Sequence, residues 1–233
     1  MRKYALYLFV VVFSAFLSGC EKDITTQDQS TITHFVTFQI EGTNAYDETA
    51  VAVGTQYTDP GFKAMEGDND VTSSVTVTGT VDANTPGYYP VSYSAVNKDG
   101  FSSSAVRKVI VYDPSSLSST DISGTYDGIR VNRGKGGSVT IRQIVTGIYY
   151  ISDMFGGYYD QYAGYGKPYA APGYFQLNSD NSITFLYGYV SGWASPIIGS
   201  DATYDPATKT INFTSTFDDG SGFGFDVQLT SNE

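Results

Sequence analysis

From His34 onward, apolar side chains recur at every second position in short runs, and no long window carries helical periodicity. Successive residues of an extended chain point to opposite faces, so runs of this kind bury one face and wet the other only as β-strands. Phe35-Val36-Thr37-Phe38-Gln39-Ile40 is the first such run, and further candidates lie at 50–53, 73–81, 87–96 and 105–112. Between them stand Asp59-Pro60-Gly61, Gly67-Asp68-Asn69-Asp70, Thr85-Pro86-Gly87 and Lys98-Asp99-Gly100, residues that take turn conformations at little cost. The spacing predicts an Ig-like antiparallel sandwich over residues 34–113.

Residues 114–121, Pro-Ser-Ser-Leu-Ser-Ser-Thr-Asp, are too poor in apolar side chains for a core strand and read as a linker. A second β pattern fills 122–233. Its candidates are 124–129, 138–144, 147–152, 173–177, 182–186, 210–215 and 222–229, with tight turns at Asn178-Ser179-Asp180-Asn181 and Asp205-Pro206-Ala207-Thr208-Lys209. They predict an antiparallel meander that closes as a small barrel or packs as a second sandwich. The fold class is all-β.

The N-terminus follows a different rule. Arg2 and Lys3 precede an apolar run from Ala5 to Phe16, and Leu17-Ser18-Gly19-Cys20 ends it with small residues around a cysteine. That order is a secretory signal over residues 1–19, too short to span a hydrocarbon core, which takes roughly 20 helical residues. Cys20 is the only cysteine, so no intramolecular disulfide can form. Residues 20–33 are polar with no apolar face, a solvated tether.

Removing the signal takes two positive charges and no negative ones from a formal charge of −11, leaving about −13. So acidic a chain is a poor match for nucleic acid or for anionic membrane surfaces.

The most unusual segment is Phe155-Gly156-Gly157-Tyr158-Tyr159-Asp160-Gln161-Tyr162-Ala163-Gly164-Tyr165-Gly166-Lys167-Pro168-Tyr169, whose five tyrosines and four glycines interrupt the alternation. Tyrosine joins a flat apolar face to a hydroxyl at small entropic cost, which suits stacking on a sugar ring. Tyr187, Tyr189 and Trp193 recur in a Gly-containing stretch from Leu186 to Ser195, expected as a second aromatic loop converging with the first. The candidate ligand-binding residues are therefore Tyr158, Tyr159, Tyr162, Tyr165, Tyr169, Tyr187, Tyr189 and Trp193, with Asp160, Gln161 and Lys167 as interleaved polar groups.

Catalysis has little support. His34 is the only histidine, which disfavours a Ser-His-Asp set and histidine metal centres. Asp127, Asp153 and Asp160 are the carboxylates a glycoside hydrolase mechanism would draw on, but none sits in a telling motif. Asp68-Asn69-Asp70 and Asp218-Asp219 lack the spacing of a calcium loop and read as turns. No metal and no cofactor is assigned.

Three stretches resemble known families. Leu17-Ser18-Gly19-Cys20 is similar to the bacterial lipobox, which implies that Cys20 is lipidated and holds the mature chain on a membrane. The runs 54–62, 75–82, 85–93 and 97–100 resemble the bacterial Ig-like domain of pesticidal crystal proteins and surface lipoproteins, usually a spacer. Ser123-Gly124-Thr125-Tyr126, Tyr169-Ala170-Ala171-Pro172-Gly173 and Tyr204-Asp205-Pro206-Ala207-Thr208-Lys209-Thr210-Ile211 resemble the C-terminal β-domain of Bacteroidetes lipoproteins found beside glycan-uptake systems. The resemblances imply a lipid-anchored, cell-surface protein of the outer membrane that binds an oligo- or polysaccharide, with outer-membrane glycan-uptake proteins as partners. The alternative is a structural or adhesive subunit of an envelope complex.

Overall fold

A computed structural model describes residues 32–232. The signal over 1–19, Cys20 and nearly all of the tether over 20–33 lie outside the described residues. The first half forms two facing sheets. One takes β1 (Val36–Ile40), β3 (Phe62–Glu66) and the short β4 (Asn69–Asp70); the other takes β2 (Glu48–Ala52), β7 (Ser102–Tyr112), β6 (Gly87–Val96) and β5 (Thr76–Thr78) in the order β2-β7-β6-β5. Phe38, Ile40 and Phe62 from the first sheet meet Val91, Tyr93, Val109 and Val111 from the second. This is the expected sandwich, with one departure: β2 runs parallel to β7. At its centre Arg107 is fully buried, donating to the Tyr93 hydroxyl at 2.9 Å and to the Gly61 carbonyl at 2.7 Å, and pairing with Asp59 at 3.0 Å.

The second half closes. β8 (Gly124–Arg130), β9 (Lys135–Val145), β10 (Ile148–Ile151), β11 (Gly173–Leu177), β12 (Ile183–Val190), β13 (Ser195–Asp205), β14 (Thr210–Phe217) and β15 (Gly224–Ser231) pair in chain order, and β15 returns to β8 through Val227↔Arg130 to Ser231↔Tyr126. An eight-stranded barrel is just wide enough to be filled by side chains, and Tyr126, Ile141, Tyr149, Phe175, Phe213 and Leu229 fill this one. β3, β4 and β13 were not among the sequence candidates; Asn69–Asp70, read as part of a turn, forms β4. In β13, Pro196, Gly199 and an irregularity between Ser200 and Thr203 break the alternation that marks a strand.

The two halves share a buried seam, and residues 35–232 belong to one compact unit. Tyr149 and Ile151 of β10 point into the barrel while Ile148 and Tyr150 point out, onto Ile110, Tyr88 and Tyr112 of the sandwich. β11 is accordingly buried at every position. In the seam Glu48 receives both Nη1 and Nη2 of Arg142, at 2.7 and 2.8 Å, and the Tyr174 hydroxyl at 3.0 Å. Burial alone would raise the Glu48 carboxyl, but those bonds, one from Asn44 and the Arg142 charge outweigh it and hold it below its usual range. The 114–121 segment, read as a linker, is held in place: Asp113 caps the turn Pro114–Ser116 through Ser115 N–H, Leu117 bridges to Asn178, and Ser118 N–H donates to the Leu177 carbonyl.

Candidate functional site

In an up-and-down barrel successive loops alternate between the two ends. The loops after β8, β10, β12 and β14 therefore share one mouth, and these include the Tyr/Gly-rich segment, the turn carrying Trp193 and the turn carrying Phe223.

The Tyr/Gly-rich loop does not begin as a free excursion. Asp153, only 1% exposed, accepts the N–H of Phe155 and Ala171 on Oδ1 and that of Gly157 on Oδ2, all within 2.9 Å, fixing both ends of the loop on one carboxylate. Burial pushes this carboxyl up, to about 7, against the three amides, which favour the anion. Gly156 and Gly157 then cross β8 and β9 at Gly128, Gly136 and Gly137, and Gly137 N–H donates to the Gly156 carbonyl at 2.9 Å. The crossing drives Met154 and Phe155 into the barrel as a plug.

Beyond the plug, Tyr158–Tyr162 form one wide helical turn, with Tyr162 N–H donating to the Gly157 carbonyl and Ala163 N–H to that of Tyr158. The Gln161 side chain clamps it to β9, accepting from Ser138 N–H at 2.9 Å and donating to the Ser138 carbonyl at 2.8 Å. Gly192 N–H and the Ser191 hydroxyl both donate to the Pro168 carbonyl, fastening the Trp193 turn to the loop.

Six of the eight predicted aromatic residues meet here. Trp193 lies edge-on to Tyr159 and to Tyr169, centroids 4.9 Å apart in each case; Tyr158 meets Tyr159 at 5.0 Å and Tyr162 at 5.6 Å, and Tyr165 meets Tyr169 at 5.4 Å. The cluster is seated on the plug and the barrel rim through Phe155, Phe217 and Phe225. Its outer members stay accessible: Tyr162, Tyr165 and Trp193 are 54%, 55% and 39% exposed.

Tyr187 and Tyr189 do not join it. Leu186 to Val190 is no loop but the second half of β12, only 191–194 forming the turn that carries Trp193, and an extra residue at Leu186, opposite the step from Tyr174 to Phe175, turns Leu186 and Tyr187 outward. Tyr187 packs into the seam on Tyr88, centroids 4.3 Å apart with the rings tilted, burial raising its hydroxyl, and Tyr189 lies near it in β12.

Against the cluster opens a depression of ≈ 590 Å³ whose lining includes Tyr159, Trp193, Phe217 and Phe223 together with Asp218, Asp219 and Ser221. Asp219 accepts Ser221 N–H at 2.8 Å, the turn role expected of the acidic pair. Phe217 and Phe223 were not singled out in the sequence; the cue was Gly220-Ser221-Gly222-Phe223-Gly224-Phe225, glycine alternating with aromatic residues. Arg130 was missed too. It is buried beneath the rings, 4.1 Å from the Phe225 centroid and 5.1 Å from that of Tyr158, and donates to the Tyr159 hydroxyl at 3.1 Å. A second, polar depression of ≈ 510 Å³ contains Asp160, Gln161 and Lys167, but Gln161 and Ser152 there are engaged in holding the loop and β10 to β9.

Comparison with known proteins follows the same division of the chain. Residues 38–111 match the family model of a bacterial surface protein Ig-like domain, and residues 114–231 match a model described as a C-terminal domain. The crystal structure of the lipoprotein BT2262 from Bacteroides thetaiotaomicron is 37% identical, covers 84% of this chain and 100% of its own, and superposes with a TM-score of 0.45. The chain belongs to the family of this Bacteroides lipoprotein. Neither matched model names a catalytic activity. Among curated proteins no significant match is found. Two structures from Clostridium perfringens ZmpB, the M60 catalytic domain with CBM51-1 and CBM51-2, and CBM51-2 in complex with GlcNAc with INT domains, align at 14% identity. They cover 86% and 84% of this chain and 21% and 43% of theirs, with TM-scores of 0.31 and 0.28, and carry no functional argument.

Proposed function

We propose that this lipoprotein relative binds glycans at the barrel mouth without transforming them, the sandwich serving as spacer and Cys20 as a lipid anchor in the outer membrane, with the mouth facing outward. The observation that carries the reading is a depression lined by partly exposed rings together with carboxylates and a serine. Ring faces suit the C–H faces of a pyranose, and carboxylates and hydroxyls suit its O–H groups. Asp153, the most perturbed carboxyl near the mouth, is occupied by three backbone amides and is a structural clasp rather than an acid catalyst.

The test is affinity electrophoresis of the mature chain through gels containing a panel of polysaccharides, for wild type, Trp193→Ala and Tyr165→Ala, with thermal melts run in parallel. Wild type should be retarded by at least one polymer, and removing the Trp193 ring should weaken that binding about tenfold, the loss of a central aromatic anchor. Identical mobility of all three proteins in every gel would sink the reading. Retention of an envelope protein that survives both substitutions would favour the structural subunit instead.

A further inference from the structure

The groove has a charge character that the rings alone do not convey. Asp218 and Asp219 both line it, and no Lys, Arg or His is among the residues that do. The cation closest to the rings is Arg130, which is only 7% exposed, covered by Tyr158, Tyr159, Phe223 and Phe225, and bonded to Asn132 and to the Tyr159 hydroxyl. It cannot turn out to meet an anion without uncovering the aromatic cluster. Lys135 stands over the Tyr162 ring and Lys167 lines the polar depression; neither reaches the groove. Asp219 is held as the anion by the Ser221 hydroxyl and N–H, so its negative charge persists well below neutral pH.

We infer that the barrel mouth selects uncharged glycans and rejects acidic ones, because a depression lined by aromatic rings and two carboxylates offers hydrogen-bond acceptors to hydroxyls and repulsion to a carboxylate or sulfate. The inference rests on the glycan reading above and sharpens its substrate class. A sugar carboxylate bound in the depression shares it with two like charges, and the nearby cation, Arg130, stays sealed behind the Tyr159 and Phe223 rings and so offsets only part of their repulsion. At a separation of about 6–8 Å and an intermediate dielectric, repulsion of that kind weakens binding roughly tenfold. The acidic mature chain, at about −13, acts in the same direction at longer range.

Matched polymers separate charge from shape: hydroxyethyl cellulose against carboxymethyl cellulose, dextran against carboxymethyl dextran, and galactan against polygalacturonate. The mature chain is run through each at about 0.1 M salt, where screening reaches over about 10 Å. The neutral member of at least one pair should retard it, and the acidic partner should do so about tenfold less. In about 1 M salt, where the Debye length falls to about 3 Å, the acidic partner should recover most of that difference in the wild type itself. The Asp218→Asn/Asp219→Asn chain, checked for folding by its melt, should narrow the neutral-to-acidic ratio to below about threefold at low salt. Equal or stronger retention by the acidic polymers, or a ratio indifferent to salt, overturns charge selection and leaves glycan binding standing. No retention by either member of any pair overturns the glycan reading itself, and the selectivity with it.

Discussion

Gly136 has no side chain because the carbonyls of Gly128 and Gly156 already occupy the place where a Cβ would stand, and a Cβ on Gly128 would come within 2.8 Å of the Gly156 backbone. The obstacles are backbone atoms of a barrel strand and of the plug, so neither can rotate aside. Gly136→Ala should therefore destabilise the protein by about 3 kcal/mol or more, read from urea unfolding, and should release the Tyr-rich loop. Asp153 supplies a second residue-scale expectation. Its folded carboxyl sits at about 7 and an unfolded one near 4, so between those values the native chain binds more protons. The stability it contributes is fully present below about pH 4 and is lost as pH rises through about 7. Asp153→Asn should cost about 1–3 kcal/mol near pH 5, since an amide N–H₂ cannot accept all three backbone donors, and the difference from wild type should shrink toward pH 8. A difference that grows with pH would contradict it. The glycines and Asp153 are visible in the sequence as a Gly-rich loop and a lone carboxylate; that the loop is a plug held by one clasp is not, because the crossing partners lie 19 or more residues apart.

Among the elements, β12 shows why alternation can mislead. Phe185 follows the inward parity set by Ile183, and one extra residue at Leu186 reverses it, sending Tyr187 to the seam. A bulge is a property of two strands in register, so a single strand's sequence does not announce it. β11 presents the opposite case: Gly173–Leu177 was found by its composition, yet its burial on both faces depends on the sandwich lying against the barrel. In the seam, Glu48→Ala leaves Arg142 and the Tyr174 hydroxyl without their acceptor. The loss should be about 2–4 kcal/mol, toward the lower end because Arg142 is partly exposed, measured by chemical denaturation. Glu48 also carries an acid dependence of the opposite sign to that of Asp153. Its depressed carboxyl adds stability above its unfolded range near 4.3, and that share disappears as pH falls below it. Glu48→Gln should thus bring wild type and variant closer together in acid than at pH 7.

At the scale of the whole molecule, the Tyr88, Tyr174 and Tyr187 stack, the Glu48–Arg142 pair and the pinned 114–121 segment join sandwich and barrel into one body. Calorimetry should record a single cooperative unfolding transition for the wild type, and two once the seam is broken by Glu48→Ala with Tyr88→Ala. Two transitions in the wild type would show that the halves unfold independently. The all-β class, the sandwich, the meander and most strand positions follow from the sequence, because pleat alternation and turn chemistry act over two to five neighbouring residues. That the linker segment is held in place was not legible, since Leu117 and Ser118 find their partners at Asn178 and Leu177, far along the chain. The site was legible in part: the Tyr/Gly-rich loop and Trp193 stand out by composition. That Trp193 meets Tyr159, that Phe217 and Phe223 complete the groove, that Tyr187 leaves it and that Arg130 is sealed beneath it were decided by barrel closure, which alone brings four separate loops to one mouth.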